Sequence, residues 1–129
     1  VITDGDHRDV SVFDLAVGDG FQDNSAAGGQ VSTVAVVDCD EPHDNEIYLA
    51  YSMTDAAFPG REATQAMAFD RCVSEFLDFV GIPYGFSELE VLPVTPTADS
   101  WAQGDRVVFC ALYHFELLKL TGSMRDANR

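Results

Sequence analysis

The residues best suited to chemistry lie in one turn. Cys39 and His43 stand four positions apart, flanked by Asp38, Asp40, Glu41, Asp44 and Glu46. A thiol beside an imidazole suggests a nucleophile with its base. An imidazole among carboxylates suggests a cation. The third role for His43, and the expected one, is structural: it bonds a nearby carboxylate or backbone carbonyl and fixes the corner after Pro42. A zinc site takes three or four convergent protein ligands, and the other histidines, His7 and His114, show no ligand spacing to His43. Pro42 and His43 also interrupt any EF-hand pattern. No metal site is therefore expected. If the turn binds anything, His43, Asp40, Glu41 and Asp44 are the expected contributors.

A reactive cysteine needs a lowered pKa, usually from a helix N-terminus or a neighbouring cation. Cys39 instead ends a strand among carboxylates, which push its pKa the wrong way. A hydrolase built on Cys39 and His43 stays only as an alternative to test. The chain has no phosphate loop, Gly-x-Ser-x-Gly elbow or His-Glu-x-x-His motif, so no catalytic residue and no cofactor are expected. Trp101, just before a glycine turn, either anchors a partner or packs over the edge of a sheet. Arg106 beside it is placed to pair with Asp99 or Asp105.

The elements that must position these residues follow from the pattern of the chain. Its 129 residues suit one domain, and 47% hydrophobic content with 11% aromatics belongs to a folded protein. The net charge of -15 opposes binding to nucleic acid and to anionic lipid. No signal-peptide pattern is visible at Val1, and the longest apolar runs, such as Val107 to Tyr113, are too short to span a bilayer. A soluble domain is expected, with any membrane tether lying outside this sequence.

Residues 1–8 and 121–129 read as flexible polar tails of a single domain, 1–129. Val10 to Val17 is strand-like and ends at the turn Gly18-Asp19-Gly20. Phe21 to Gln30 reads as an exposed loop. A strand pair follows, Val31 to Asp38 and Glu46 to Met53, joined by the acidic corner. Arg61 to Val80 is the one long helix, with Ala66, Met67, Phe69, Cys72, Val73, Phe76, Leu77 and Val80 as its apolar stripe. Glu62 suits its start, and Gly81 and Pro83 end it. Leu89 to Val94 is a short strand, and Asp99 to Asp105 a turn tightened at Gly104. Arg106 to Phe115 is a central strand, with Val108, Cys110 and Leu112 on one face and Val107, Phe109 and Ala111 on the other. The expected fold is α+β: a mostly antiparallel sheet with one long amphipathic helix packed on it. If the helix covers the Cys110 face, Cys72 comes within bridging distance, and a Cys72–Cys110 disulfide is expected. Cys39 is then the odd thiol.

The segments VFDLAVGDG (Val12 to Gly20), VVDCDEPHDNE (Val36 to Glu46), FPG (Phe58 to Gly60), the helix with Cys72, PTADSWAQGDRVVFC (Pro96 to Cys110) and LTGSMRD (Leu120 to Asp126) occur in this order along most of the chain. Taken together, they resemble the septum formation domain family of actinobacteria, small extracytoplasmic domains often tethered to a membrane helix. The Cys-x-x-Pro-His and Trp-x-x-Gly-x-Arg-x-x-x-Cys segments are the more specific part of that likeness. The family pattern implies two disulfides, the first joining a cysteine in the Gly-Asp-Cys turn to the position of Cys39. This chain has Gly20 in that turn, which leaves Cys39 an orphaned thiol. The resemblance carries over no catalytic residue. It implies an envelope protein linked to septum formation or cell division. The function expected here is a non-catalytic interaction or sensor domain on the outer side of the membrane that recognises a protein or cell-wall component through exposed loops. The alternative is a metal- or small-ligand-binding domain centred on His43 and its carboxylates.

Overall fold

The computed structural model describes residues 8–11, 15–22 and 33–129. Among the described residues six strands form: β1 (Arg8–Ser11), β2 (Gly20–Gln22), β3 (Thr33–Val37), β4 (Asn45–Ser52), β5 (Leu89–Val94) and β6 (Val107–His114). They make one sheet in the order β1-β3-β2-β4-β6-β5, antiparallel at every pairing. With the long helix α1 (Arg61–Val80) and a short one, α2 (Ala98–Ala102), this is the expected α+β domain. Among the described residues no helix is long and apolar enough to cross a membrane.

Helix α1 has the expected bounds. It ends where Gly81 turns left-handed at φ 103 and donates its N–H to the carbonyl of Leu77 at 2.9 Å. Its buried seam is Thr64, Ala68, Cys72, Phe76, Phe79 and Val80. The expected stripe needs correcting: Met67, Phe69 and Leu77 are 44, 42 and 48% exposed. At roughly 100° per residue, Met67 and Leu77 point about 140° away from Cys72, past the edge of a seam centred there. Thr64 and Ala68, small enough for a close approach to the sheet, take their place.

Cys72 and Cys110 are joined across the helix–sheet interface with Cα atoms 5.5 Å apart, and neither is exposed. Around them Tyr48, Phe76, Phe79, Val80, Leu89, Val91, Leu112, Leu120 and Met124 form one core. The other sheet face carries a second cluster of Leu15, Phe21, Val36, Ile47, Phe109 and Ala111. β6 thus serves both cores by the expected alternation. In β4 the pairing skips a residue between Ile47, opposite Ala111, and Leu49, opposite Cys110. This bulge at Tyr48 turns both Tyr48 and Leu49 toward the helix. The Tyr48 hydroxyl then donates to the carbonyl of Cys72 at 2.5 Å.

Other expectations are corrected. β3 and β4 do not pair with each other; β2 lies between them. Phe21, assigned to an exposed loop, is a buried residue of β2. Three residues are too few to show a strand period, so the sequence alone hides this one. Of the expected strand Val10 to Val17, Val10 and Ser11 belong to β1, Leu15 to Val17 form no strand although Leu15 is buried, and residues 12–14 lie outside the described residues, as do 1–7 and 23–32. The turn expected at Asp99 to Asp105 begins as α2. Thr97 caps it, its Oγ1 accepting from the Ser100 N–H at 3.1 Å while its own N–H donates to Ser100 Oγ at 2.9 Å. The stretch 121–129, expected to trail off, is docked. The N–H groups of Asp126 and Asn128 donate to the carbonyls of Phe79 and Val80 at 2.7 and 2.8 Å, and Met124 is buried. Its polar composition conceals this because most of its bonds come from the backbone.

Candidate functional site

Three short segments meet at the acidic corner. The first is the turn between β3 and β4. The N–H of Glu41 donates to the carbonyl of Asp38 at 2.9 Å, and the N–H of Asp40 to the Asp38 carboxylate at 3.1 Å. Aspartate favours such self-bonded turns. The second is the Gly18-Asp19-Gly20 turn, bent at Gly18 with φ 97, where the N–H of Gly18 and the carbonyl of Asp19 bond the backbone of Ile47. The third is a C-terminal strap. His43 and Leu120 exchange N–H···O bonds of 2.8 and 2.7 Å, and the N–H of Gly122 donates to the carbonyl of Cys39 at 2.6 Å. Gln22 of β2 ties the corner further, donating to the Pro42 carbonyl at 2.9 Å and accepting from the Asp44 N–H at 3.1 Å.

These segments bring Cys39, His43 and Glu46 together. One ligand atom from each lies within 4.8 Å of the others, and all three residues are buried. The His43 ring bonds the Glu41 carbonyl through Nδ1 at 2.8 Å, which puts the proton on that nitrogen. Its Nε2 is buried with no hydrogen-bond partner among the described residues. Glu46 accepts from Ser123 Oγ at 2.6 Å and from the Met124 N–H at 2.8 Å. Cys39 Sγ donates to the Gly18 carbonyl at 3.4 Å. Burial, and after it the charges of Glu46, Asp38, Asp19 and Asp40, push its thiol up to about 12.

The carboxylates expected around His43 are mostly not the ones the fold delivers. Glu41 contributes its backbone carbonyl, Asp40 is exposed, and Asp44 pairs with Lys119 Nζ at 2.9 Å. Glu46 alone reaches the site. It was hidden because side chains alternate along β4 and because its partners, Ser123 and Met124, lie at the far end of the chain. His43 does bond a backbone carbonyl, as the structural reading expects, but that bond occupies only one of its nitrogens. His114 lies elsewhere, between Glu88 and the N–H of Glu116.

Trp101, weighed as an anchor or a packing residue, is 7% exposed and lies between Phe58 and the Arg106 guanidinium, which sits 3.8 Å from its ring centroid. That is a packing role. Arg106 donates to the carbonyls of Trp101 and Asp105, while the Asp105 carboxylate accepts from Ser100 Oγ and the Val107 N–H. The sequence reading missed a different surface feature. Leu92, Tyr113, Leu117 and Leu118, with Asp44 and Asn45, line a depression of about 210 Å³. Leu117 and Leu118 are 72 and 55% exposed.

No curated protein and no solved structure matches the chain significantly. A family model described as septum formation matches residues 19–129, a span that takes in the β2 turn, the acidic corner, the disulfide and the C-terminal strap. The chain belongs to the septum formation domain family.

Proposed function

We propose that this is a non-catalytic interaction or sensor domain on the outer side of an actinobacterial membrane. It is part of an envelope protein linked to septum formation, and it docks a protein segment. The observation that carries this reading is the apolar depression formed by Leu92, Tyr113, Leu117 and Leu118. Exposed leucines gathered around one depression offer a partner's apolar side chain a place to bury. With a net charge of -15, the fitting partner is a segment with an apolar side chain flanked by basic residues.

Two further facts support the reading. A buried disulfide suits an oxidising compartment. A Cys39 thiol pushed up to about 12 stays protonated at neutral pH, which is the wrong state for a nucleophile.

The test is photocrosslinking in the native envelope, with a photoreactive residue at Leu118 in the full-length protein and, as control, at Glu62 on the exposed start of the helix. The expected result is one protein captured from position 118 and lost on adding Leu117→Asp. Equal capture from both positions, or capture indifferent to Leu117→Asp, would overturn the proposal. Labelling of wall polymer instead of protein would move the partner to the cell wall.

A further inference from the structure

We propose that Cys39, His43 and Glu46 form a buried binding site for a borderline divalent cation of the zinc class. The inference does not depend on the docking role, and either can hold without the other.

The donor set is the first argument. Thiolate, imidazole and carboxylate are zinc's ordinary ligands, and three protein ligands leave one position for water or an exogenous group. The chain delivers all three from residues 39 to 46, with their donor atoms within 4.8 Å of one another. Bonds of about 2.0 to 2.3 Å to a shared ion would put those atoms roughly 3 to 4 Å apart, within reach of small side-chain rotations.

The second argument is the imidazole. Nδ1–H donates to the Glu41 carbonyl, so in the neutral ring Nε2 carries the free lone pair, on a side chain grouped with Cys39 and Glu46. His43 is fully buried, and Nε2 has no hydrogen-bond partner among the described residues. A buried acceptor left unpaired costs roughly 1 to 3 kcal/mol. A cation removes that cost, and an imidazole whose other nitrogen donates to a carbonyl is how metal-binding histidines are usually held.

The third argument is the support around the ligands. Ser123 Oγ and the Met124 N–H orient the Glu46 carboxylate and leave a lone pair on each of its oxygens. Gly20 sets no side chain against the sulfur: a Cβ there would lie 3.1 Å from Cys39 Sγ and 3.3 Å from His43 Cγ. On binding, the thiol proton leaves to solvent. One thiolate and one carboxylate then balance the two charges of the ion. The site would bolt the end of β3 to the start of β4.

Cobalt(II) reports on it directly. The oxidised protein, with Cys72–Cys110 intact and stripped of metal by a chelator, is titrated with Co²⁺. One equivalent is expected to give a thiolate-to-cobalt charge-transfer band with intense tetrahedral visible bands. Zn²⁺ should abolish both and raise the melting temperature. Cys39→Ser should remove the charge-transfer band and weaken zinc binding by on the order of 100-fold. Because that variant can also disturb the fold, Gly20→Cys serves as a second: it keeps all three residues but ties the sulfur into a bridge, confirmed by mass, and should lose the band with melting unimpaired. Several results would overturn the proposal: no charge-transfer band in the wild type, a band that survives in both variants, or only a weak octahedral spectrum from surface carboxylates.

Discussion

At the scale of single residues, Tyr48 shows how one side chain ties sheet to helix. The β4 bulge points it at α1, where its ring meets Phe76 and Phe79 and its hydroxyl bonds the Cys72 carbonyl. Burial, and after it the charge of Glu75, raises its pKa well above the ordinary 10. Tyr51 moves the same way through burial, and the hydrogen bond to Glu90 holds Tyr84 up to about 12. A group whose pKa is higher in the folded state contributes stability that is complete below the unfolded pKa. That contribution is lost as pH climbs from the unfolded value toward the folded one. For Tyr48 the loss therefore begins near pH 10 and continues upward. The urea midpoint of the wild type should fall above that pH, and Tyr48→Phe, which cannot ionise, should fall less steeply. At neutral pH the variant should be less stable by about 1 kcal/mol for its lost hydrogen bond. Parallel pH profiles for the two proteins would remove Tyr48 from this account.

At the scale of elements, the helix–sheet pair depends on the Cys72–Cys110 bridge and the side chains around it. The two cysteines are 38 residues apart in sequence, and closing such a loop stabilises the fold by about 4 kcal/mol in the chain-entropy model. Replacing both cysteines by alanine should lower the unfolding free energy by roughly that amount and raise the m-value, because the unlinked denatured chain is less compact. A loss below about 1 kcal/mol would mean that packing of Phe76 and Leu112 already positions the helix and the bridge adds little. The seam could be read from sequence at Cys72, Phe76 and Val80. It could not be read at Thr64 and Ala68, because periodicity scores apolar residues and a close approach favours small ones. The same limit hid β2, too short for a period, and α2, whose Thr97 and Ser100 cap looks like ordinary turn composition.

At the scale of the whole molecule, the C-terminal strap closes the structure. It bonds the acidic corner through Leu120 and Gly122, holds Glu46 through Ser123 and Met124, and follows the end of α1 through Asp126 and Asn128. Arg129 pairs with Glu88, and that hydrogen bond holds the Glu88 carboxyl below its usual value. Ending the chain after Leu120 would expose the Met124 pocket, worth roughly 1.5 to 3 kcal/mol, and remove bonds to a buried carboxylate worth about as much. Denaturant melts of the truncated protein should show a combined loss of about 3 to 6 kcal/mol. An unchanged midpoint would make the strap an ornament of the fold.

The α+β class, the bounds of the long helix, the partner of Cys72 and the odd thiol at Cys39 were all legible in the residue pattern. Each rests on local periodicity or on a short list of cysteines. That β2 separates β3 from β4, that Glu46 and not Asp40, Glu41 or Asp44 joins His43, and that the last nine residues dock on the corner and the helix end emerged only from the folded chain. Those outcomes come from backbone bonds between segments far apart in the chain, and side-chain patterning carries no record of such bonds.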